Sequence, residues 1–359
     1  MRSEPGAGSR RPEAGSRKRR LQKWTVAGIL LSSLAVLVIA IRSRPDGTAL
    51  PATESPPAPV LPEANGDSGT VVTASMRDVL YRIDPDITLA IKGLRGALIP
   101  AGKDSLPVFD DPSSFSIRIR DGEIAIDTAS LGRLLTRYVF AYEGSPLRDL
   151  SVSVKDGELV QRGKLKKLVT LPFTIQARAS VTPQGEIRLE PHKVEIIGLG
   201  VRGLLDLFRL ELDDLVRSNR SHGVRIVEDI VYLDPAWLLP PPRIRGHLTG
   251  LRVEPGRVVQ IFGQADSAVP PVRTTREGPA EHYMYFRHAR LRFGKLTMDD
   301  ADMLVVDGDQ STPFEFSLDL YHEQLVAGHH VTTPQDGLVV YMPDVSRLKR
   351  RAGRERQSP

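Results

Sequence analysis

Residues Leu150 to Phe208 read LSVSVKDGELVQRGKLKKLVTLPFTIQARASVTPQGEIRLEPHKVEIIGLGVRGLLDLF, and the periodicity of this stretch decides the fold class. Val152 and Val154 alternate with polar residues, and Asp156-Gly157 separates them from Leu159. An Asp-Gly pair between alternating runs is the strongest short-range signal for a β-hairpin. A longer hairpin follows. Phe173, Ile175, Ala177, Ala179 and Val181 share one face, Pro183-Gln184-Gly185 turns the chain, and Ile187 and Leu189 return. Val194 and Ile196 then fall out of phase with Leu189, which predicts a bulge near Pro191 to Lys193. From Val201 to Arg217 the period changes to that of a helix, with Val201, Leu204, Leu205, Phe208, Leu212, Leu215 and Val216 on one broad stripe.

Toward the N-terminus, Leu131, Leu134, Leu135, Tyr138, Val139 and Tyr142 recur at i, i+3, i+4, i+7, i+8 and i+11, which predicts an amphipathic helix. Thr128 or Ser130 suits its start, and Gly144 and Pro146 its end. Before it, Phe115, Ile117 and Ile119 read as a strand that turns at Asp121-Gly122 into Ile124 and Ile126. Ile87, Leu89 and Ile91 form another strand, and Met76, Val79, Leu80 and Ile83 are spaced as a short helix. Toward the C-terminus the pattern predicts strands at Val224–Tyr232, Ile244–Val253 and Arg257–Phe262. A loop from Gln264 to Ala280 leads to further strands at Tyr285–Leu296, Met303–Val306 and Phe314–Leu320, then on to Tyr341. The expected class is α+β, a long curved antiparallel sheet around one or two amphipathic helices.

Trp24 to Ile41 is an uncharged apolar run of 18 residues, preceded by eight basic and two acidic residues. Its length matches a hydrocarbon core of about 30 Å. Trp24, Leu30, Leu34, Leu37 and Ile41 are its expected membrane contacts, and the basic leader stays cytoplasmic by the positive-inside rule. The competing reading is a cleaved signal peptide, for which Val38 and Ala40 have suitable spacing; Arg42 and Arg44 directly after the run favour a permanent anchor. The expected organisation is a basic leader (1–23), a transmembrane helix (24–41), a Pro-rich linker (42–75), an α+β domain (76–263), a β-rich extension of it (264–343) and a basic disordered tail (344–359). This corresponds to a single-pass protein of a bacterial inner membrane whose folded part lies in the periplasm or outside.

The net charge of +5 belongs to the ends: the leader carries +6 and residues 344–359 carry +4, which leaves the body mildly acidic. That distribution argues against nucleic acid as a partner. The absence of Cys excludes thiol catalysis, disulfides and thiolate metal sites. No nucleophile elbow, phosphate loop or dinucleotide fingerprint is present, so no catalytic residues, cofactor or metal are expected. His322-Glu323 with His329-His330 has the wrong spacing for zinc on a helix face and reads as a loop. Asp299, Asp300, Asp302, Asp307 and Asp309 read as solvated carboxylates at the two ends of a strand.

The order of elements from Leu150 to Val216, an Asp-Gly hairpin, a Pro-led long hairpin and an apolar helix, resembles the membrane-anchored bacterial members of the tubular lipid-binding (TULIP-like) superfamily. The likeness is one of layout and extends over Phe115 to Phe262. It implies a non-enzymatic protein whose curved sheet encloses an acyl chain, with a phospholipid or other acyl lipid as partner. Leu135, Tyr138, Leu207 and Phe208 are the expected lipid contacts, and Trp237 to Leu239 beside three prolines the expected mouth. The alternative is a structural or partner-binding module with a solid core.

Overall fold

The computed structural model describes residues 71–139, 147–166, 170–196, 224–227, 230–237, 239–264, 269–273, 279–334 and 337–348. The leader, the Trp24–Ile41 run, the linker up to residue 70 and the expected helix from Val201 to Arg217 lie outside the described residues. Among the described residues no helix is long and apolar enough to cross a membrane.

In chain order the strands are β1 (Val72–Asp84), β2 (Ile87–Pro100), β3 (Phe115–Asp127), β4 (Leu147–Lys155), β5 (Glu158–Lys166), β6 (Thr170–Val181) and β7 (Ile187–Ile196). They continue with β8 (Val224–Val227), β9 (Ile230–Leu233), β10 (Arg243–Arg245), β11 (Leu248–Glu254), β12 (Arg257–Phe262), β13 (Val272–Arg273) and β14 (Pro279–Ala280). The last are β15 (Tyr283–Arg287), β16 (Leu291–Phe293), β17 (Leu296–Met298), β18 (Asp302–Asp307), β19 (Phe314–Ser317), β20 (His329–Thr332) and β21 (Leu338–Met342). Helix α1 spans Thr128–Leu134 and α2 spans Tyr321–Ala327.

Most of this structure is β, arranged chiefly in two sheets. The larger has the order β11-β12-β3-β2-β1-β15-β18-β21-β20, with β10 beside β3 and β19 beside β1. It is mixed, not antiparallel throughout as expected, because β10 runs parallel to β3, β19 to β1 and β18 to β21. The smaller sheet, β4-β5-β6-β7-β9-β8, is antiparallel at every pairing. Of the strands C-terminal to residue 280, β15, β18, β21 and β20 extend the larger sheet from β1, β19 pairs with β1 directly, and β16 and β17 form a separate two-stranded sheet. β1 accommodates two neighbours on that edge: residues 73–77 face β15, and residues 79–82 face β19.

Several sequence expectations need correction. Met76 to Ile83 is strand, not helix. An irregular backbone at Asp78, whose φ is 48°, shifts the buried positions from Val72, Ala74 and Met76 to Val79, Tyr81 and Ile83, while the register with β2 runs on past it. The shift produces the three-residue spacing between Met76 and Val79 that imitates a helix. Asp121-Gly122 is not a hairpin, since β3 runs straight through it and pairs with β2 on one side and β12 on the other. A Cβ on Gly122 would lie 2.9 Å from the Gly93 carbonyl oxygen, so this glycine permits a close backbone approach. By contrast Asp156 and Gly157, with φ of 54° and 75°, form the expected tight turn between β4 and β5.

Helix α1 is capped by Asp127, not by Thr128 or Ser130: its carboxylate accepts from the Ser130 backbone N–H and hydroxyl, both at 2.7 Å. After Leu134 the helix continues as one π turn, Leu135–Val139, and residues 140–146 lie outside the described residues. The long hairpin β6–β7 is as expected, including the register shift where Gln176 and Ala177 pair with Lys193 and Pro191 and His192 is the extra residue. Val224–Tyr232 is two strands, β8 and β9, and Ile244–Val253 is interrupted between β10 and β11. Val72 to Ser75 belong to the sheet, not the linker, and the tail starts later than residue 344 because Val345 is fully buried.

Candidate functional site

The two sheets face one another through their apolar sides, and α1, set against β4 and β2, lies at one end of the seam. Between them is a partly open cavity of about 120 Å³. The larger sheet contributes Leu89, Ile126, Leu251 and Val258. The smaller contributes Val152, Leu159, Ile175, Leu189 and Leu233, each an inward position of a two-residue alternation. Leu131, Leu134 and Leu135 of α1 and its π turn complete the wall, with Pro235 and Leu239 beside it. None of the described side chains that line it is ionisable; the polar ones are Gln161 and Gln260, one from each sheet.

Two small residues of the smaller sheet bear on the packing around the cavity. Gly163 on β5 leaves space for the Phe173 ring, since a Cβ there would sit 2.6 Å from Leu150 Cδ2 and 2.8 Å from Phe173 Cζ. Ala177 on β6 faces the hollow with the smallest apolar side chain of the set. Most of this lining offers a water molecule no polar partner; Gln161 and Gln260 are the exceptions.

Of the four expected lipid contacts, Leu135 lines the cavity and is buried. Tyr138 lies elsewhere: it is 37 % exposed, and its hydroxyl donates to Asp84 Oδ2 at 2.7 Å. The π turn after Leu134 offsets the residues beyond it from the stripe a regular helix would present. Arg137 on the same turn spans Asp84 at 3.0 Å and Asp86 at 2.5 Å. Leu207 and Phe208 lie outside the described residues, as do the membrane contacts Trp24, Leu30, Leu34, Leu37 and Ile41. At the expected mouth, Leu239 reaches the cavity, whereas Trp237 has the Arg243 guanidinium over its ring at 4.1 Å. The strand residues of the wall were readable as an inward face, but not as the rim of a hollow.

The chain matches no known protein family, curated protein or solved structure. The cavity therefore has to be interpreted from its own chemistry.

Two polar clusters stand apart from it. His322 and Glu323 are on α2 and His329 and His330 open β20, so the loop reading of this segment is corrected. Tyr321 and His322 both hydrogen-bond Asp110 Oδ1, the histidine at 2.5 Å, and Tyr321 Oη accepts from the Gly294 N–H at 3.2 Å. Burial pushes the Asp110 carboxyl up, but the hydrogen bonds from Tyr321 and His322 outweigh it and hold the group below the usual carboxylate range. This cluster ties the β2–β3 connection to α2. The second cluster corrects the reading of Asp307 as solvated. It is buried, one oxygen accepts from Asp309 N–H at 2.9 Å, and the other has no hydrogen-bond partner among the described residues. Among the described residues no three metal-ligating side chains converge.

Proposed function

We propose that this chain is a membrane-tethered, non-enzymatic envelope protein that binds an acyl lipid in the apolar seam between its two sheets. The observation that carries the proposal is the uncharged wall of the cavity, built from inward positions of both sheets and from Leu131, Leu134 and Leu135. Apolar walls with few polar groups are the usual character of ligand pockets. The Trp24–Ile41 run supplies the tether in this reading, and the layout shared with tubular lipid-binding proteins supports the choice of ligand.

Size limits what enters. A cavity of about 120 Å³ is of the order of the ~150 Å³ hollow that takes up benzene, so it accepts about five carbons. At about 0.8 kcal/mol per buried methylene that is about 4 kcal/mol, a millimolar interaction. Weak capture of a tail end suits a protein held at the membrane, where the local lipid concentration is high. The test is lipid extraction and native mass spectrometry of the full-length protein after delipidation and exposure to phospholipid vesicles. At a millimolar affinity the expected result is substoichiometric acyl lipid that rises with the vesicle lipid concentration; delipidated protein that takes up none at the highest concentration would remove the proposal.

The second reading, a partner-binding module, draws on the same size, since ligand pockets commonly enclose about 300–1,000 Å³. It is favoured by the sheet ends at β11, β20, β4 and β8, which bear unpaired edges among the described residues. Crosslinking that captures one stoichiometric protein and no lipid would support it.

A further inference from the structure

We propose that the cavity selects an uncharged amphiphile, a short hydrocarbon body carrying one group that both donates and accepts a hydrogen bond, and that Gln161 is the residue that recognises this group. The inference rests on reading the cavity as a ligand site and names the chemistry it selects.

On β5 the inward positions are Leu159, Gln161, Gly163 and Leu165. Gln161 pairs in register with Val152 of β4 and with Ile175 of β6, both of which line the cavity. The amide therefore stands at the centre of an apolar wall. It is 2 % exposed, and neither its Oε1 nor its Nε2 has a hydrogen-bond partner among the described residues. The backbone groups on either side are engaged in the β4–β5–β6 ladder. An unpartnered buried amide is destabilising, whereas Leu at the same position would bury without that penalty. A glutamine in this place gains from a ligand what the fold does not provide.

The amide determines the complement. Oε1 accepts, Nε2 donates, and a hydroxyl, an amide or an undissociated carboxyl satisfies both. An ionised head group is disfavoured, because no charged side chain lines the cavity to offset its desolvation. Gln260 places a second amide in the opposite wall, so a group lying across the seam meets polar atoms from both sheets. The free volume limits the body to about five carbons beside the polar group.

The test uses the full-length chain in nanodiscs and fluorine NMR of three ligands: 6,6,6-trifluorohexanamide, 1,1,1-trifluorohexane and ionised 6,6,6-trifluorohexanoate. Gln161→Leu is expected to weaken the amide roughly tenfold while leaving the alkane within about twofold, and the carboxylate is expected to bind the wild type at least about tenfold more weakly than the amide. Gln161→Met, which keeps the side-chain length, serves the same comparison if the leucine variant does not fold. Equal changes for amide and alkane would overturn the assignment to Gln161 while the apolar site stands. Failure of both amide and alkane to bind the wild type would overturn the site itself, and the proposed function with it.

Discussion

At the scale of single residues, the body stores its clearest pH dependence in Asp307. Burial, then the neighbouring Asp344 carboxylate, push its carboxyl up to about 8, against the opposing Arg347. A carboxyl raised in the folded state binds its proton more tightly there than in the unfolded chain, whose value is near the usual 3.8. The contribution of Asp307 to stability is then full below about pH 4 and declines as pH rises toward 8. The Tm of the wild type is expected to fall by roughly 5 °C between pH 5 and pH 8, and Asp307→Asn to flatten that decline. A thermal scan series showing the same slope in both proteins would contradict the assignment. Gly163 gives a second residue-scale expectation. Gly163→Ala places a methyl against Leu150 and Phe173 and is expected to cost about 1–3 kcal/mol in denaturant unfolding, with an unchanged m-value. Both effects were hidden in the sequence, where Asp307 reads as one more strand-end carboxylate and nothing marks the side chains that Gly163 meets.

At the scale of elements, the two Asp-Gly pairs show what local pattern can and cannot decide. Asp156-Gly157 turns because both residues take positive φ and open space surrounds the glycine. Asp121-Gly122 does not, because β2 and β12 pair across it on both sides. Glycines on the two kinds of position should respond differently to a methyl. Gly157→Ala meets nothing within 4 Å and is expected to cost about 1–2 kcal/mol for its left-handed backbone. Gly96→Ala would bring its Cβ to 2.1 Å from the Arg118 carbonyl oxygen at the β2–β3 bulge, and should cost several-fold more, as chemical denaturation of the two variants would show. The irregular backbone at Asp78 explains the misread first element: strand alternation that slips by one residue acquires a local spacing of three, which a window of eight residues cannot separate from a helical turn. The hairpins β4–β5 and β6–β7, with their turn residues and the bulge at His192, were legible because their signals are local.

At the scale of the whole molecule, the separation of the two sheets is the property on which the proposed function turns. Ala177→Leu adds three carbons to the hollow without changing any backbone pairing. Its expected outcome is unchanged or raised thermal stability together with lost uptake of acyl lipid, measured by extraction after vesicle exposure. Stability that falls by more than about 3 kcal/mol would mean the space is not available to a side chain, and so not to a ligand either.

What the chain determines by itself is the set of inward faces. Alternation along β2 and β4 to β7, the Asp156-Gly157 and Pro183–Gly185 turns and the apolar stripe of Leu131, Leu134 and Leu135 are properties of neighbours in sequence, and each is read from residues fewer than about ten positions apart. Only the tertiary structure decides that β15 and β19 divide one edge of β1, that parallel pairs make the larger sheet mixed, and that the inward faces of the two sheets stop short of contact beside α1. Those outcomes depend on packing between segments as distant in sequence as Val79 and Phe314, where side-chain volume and backbone approach, not periodicity, set which strands meet and what space is left between them.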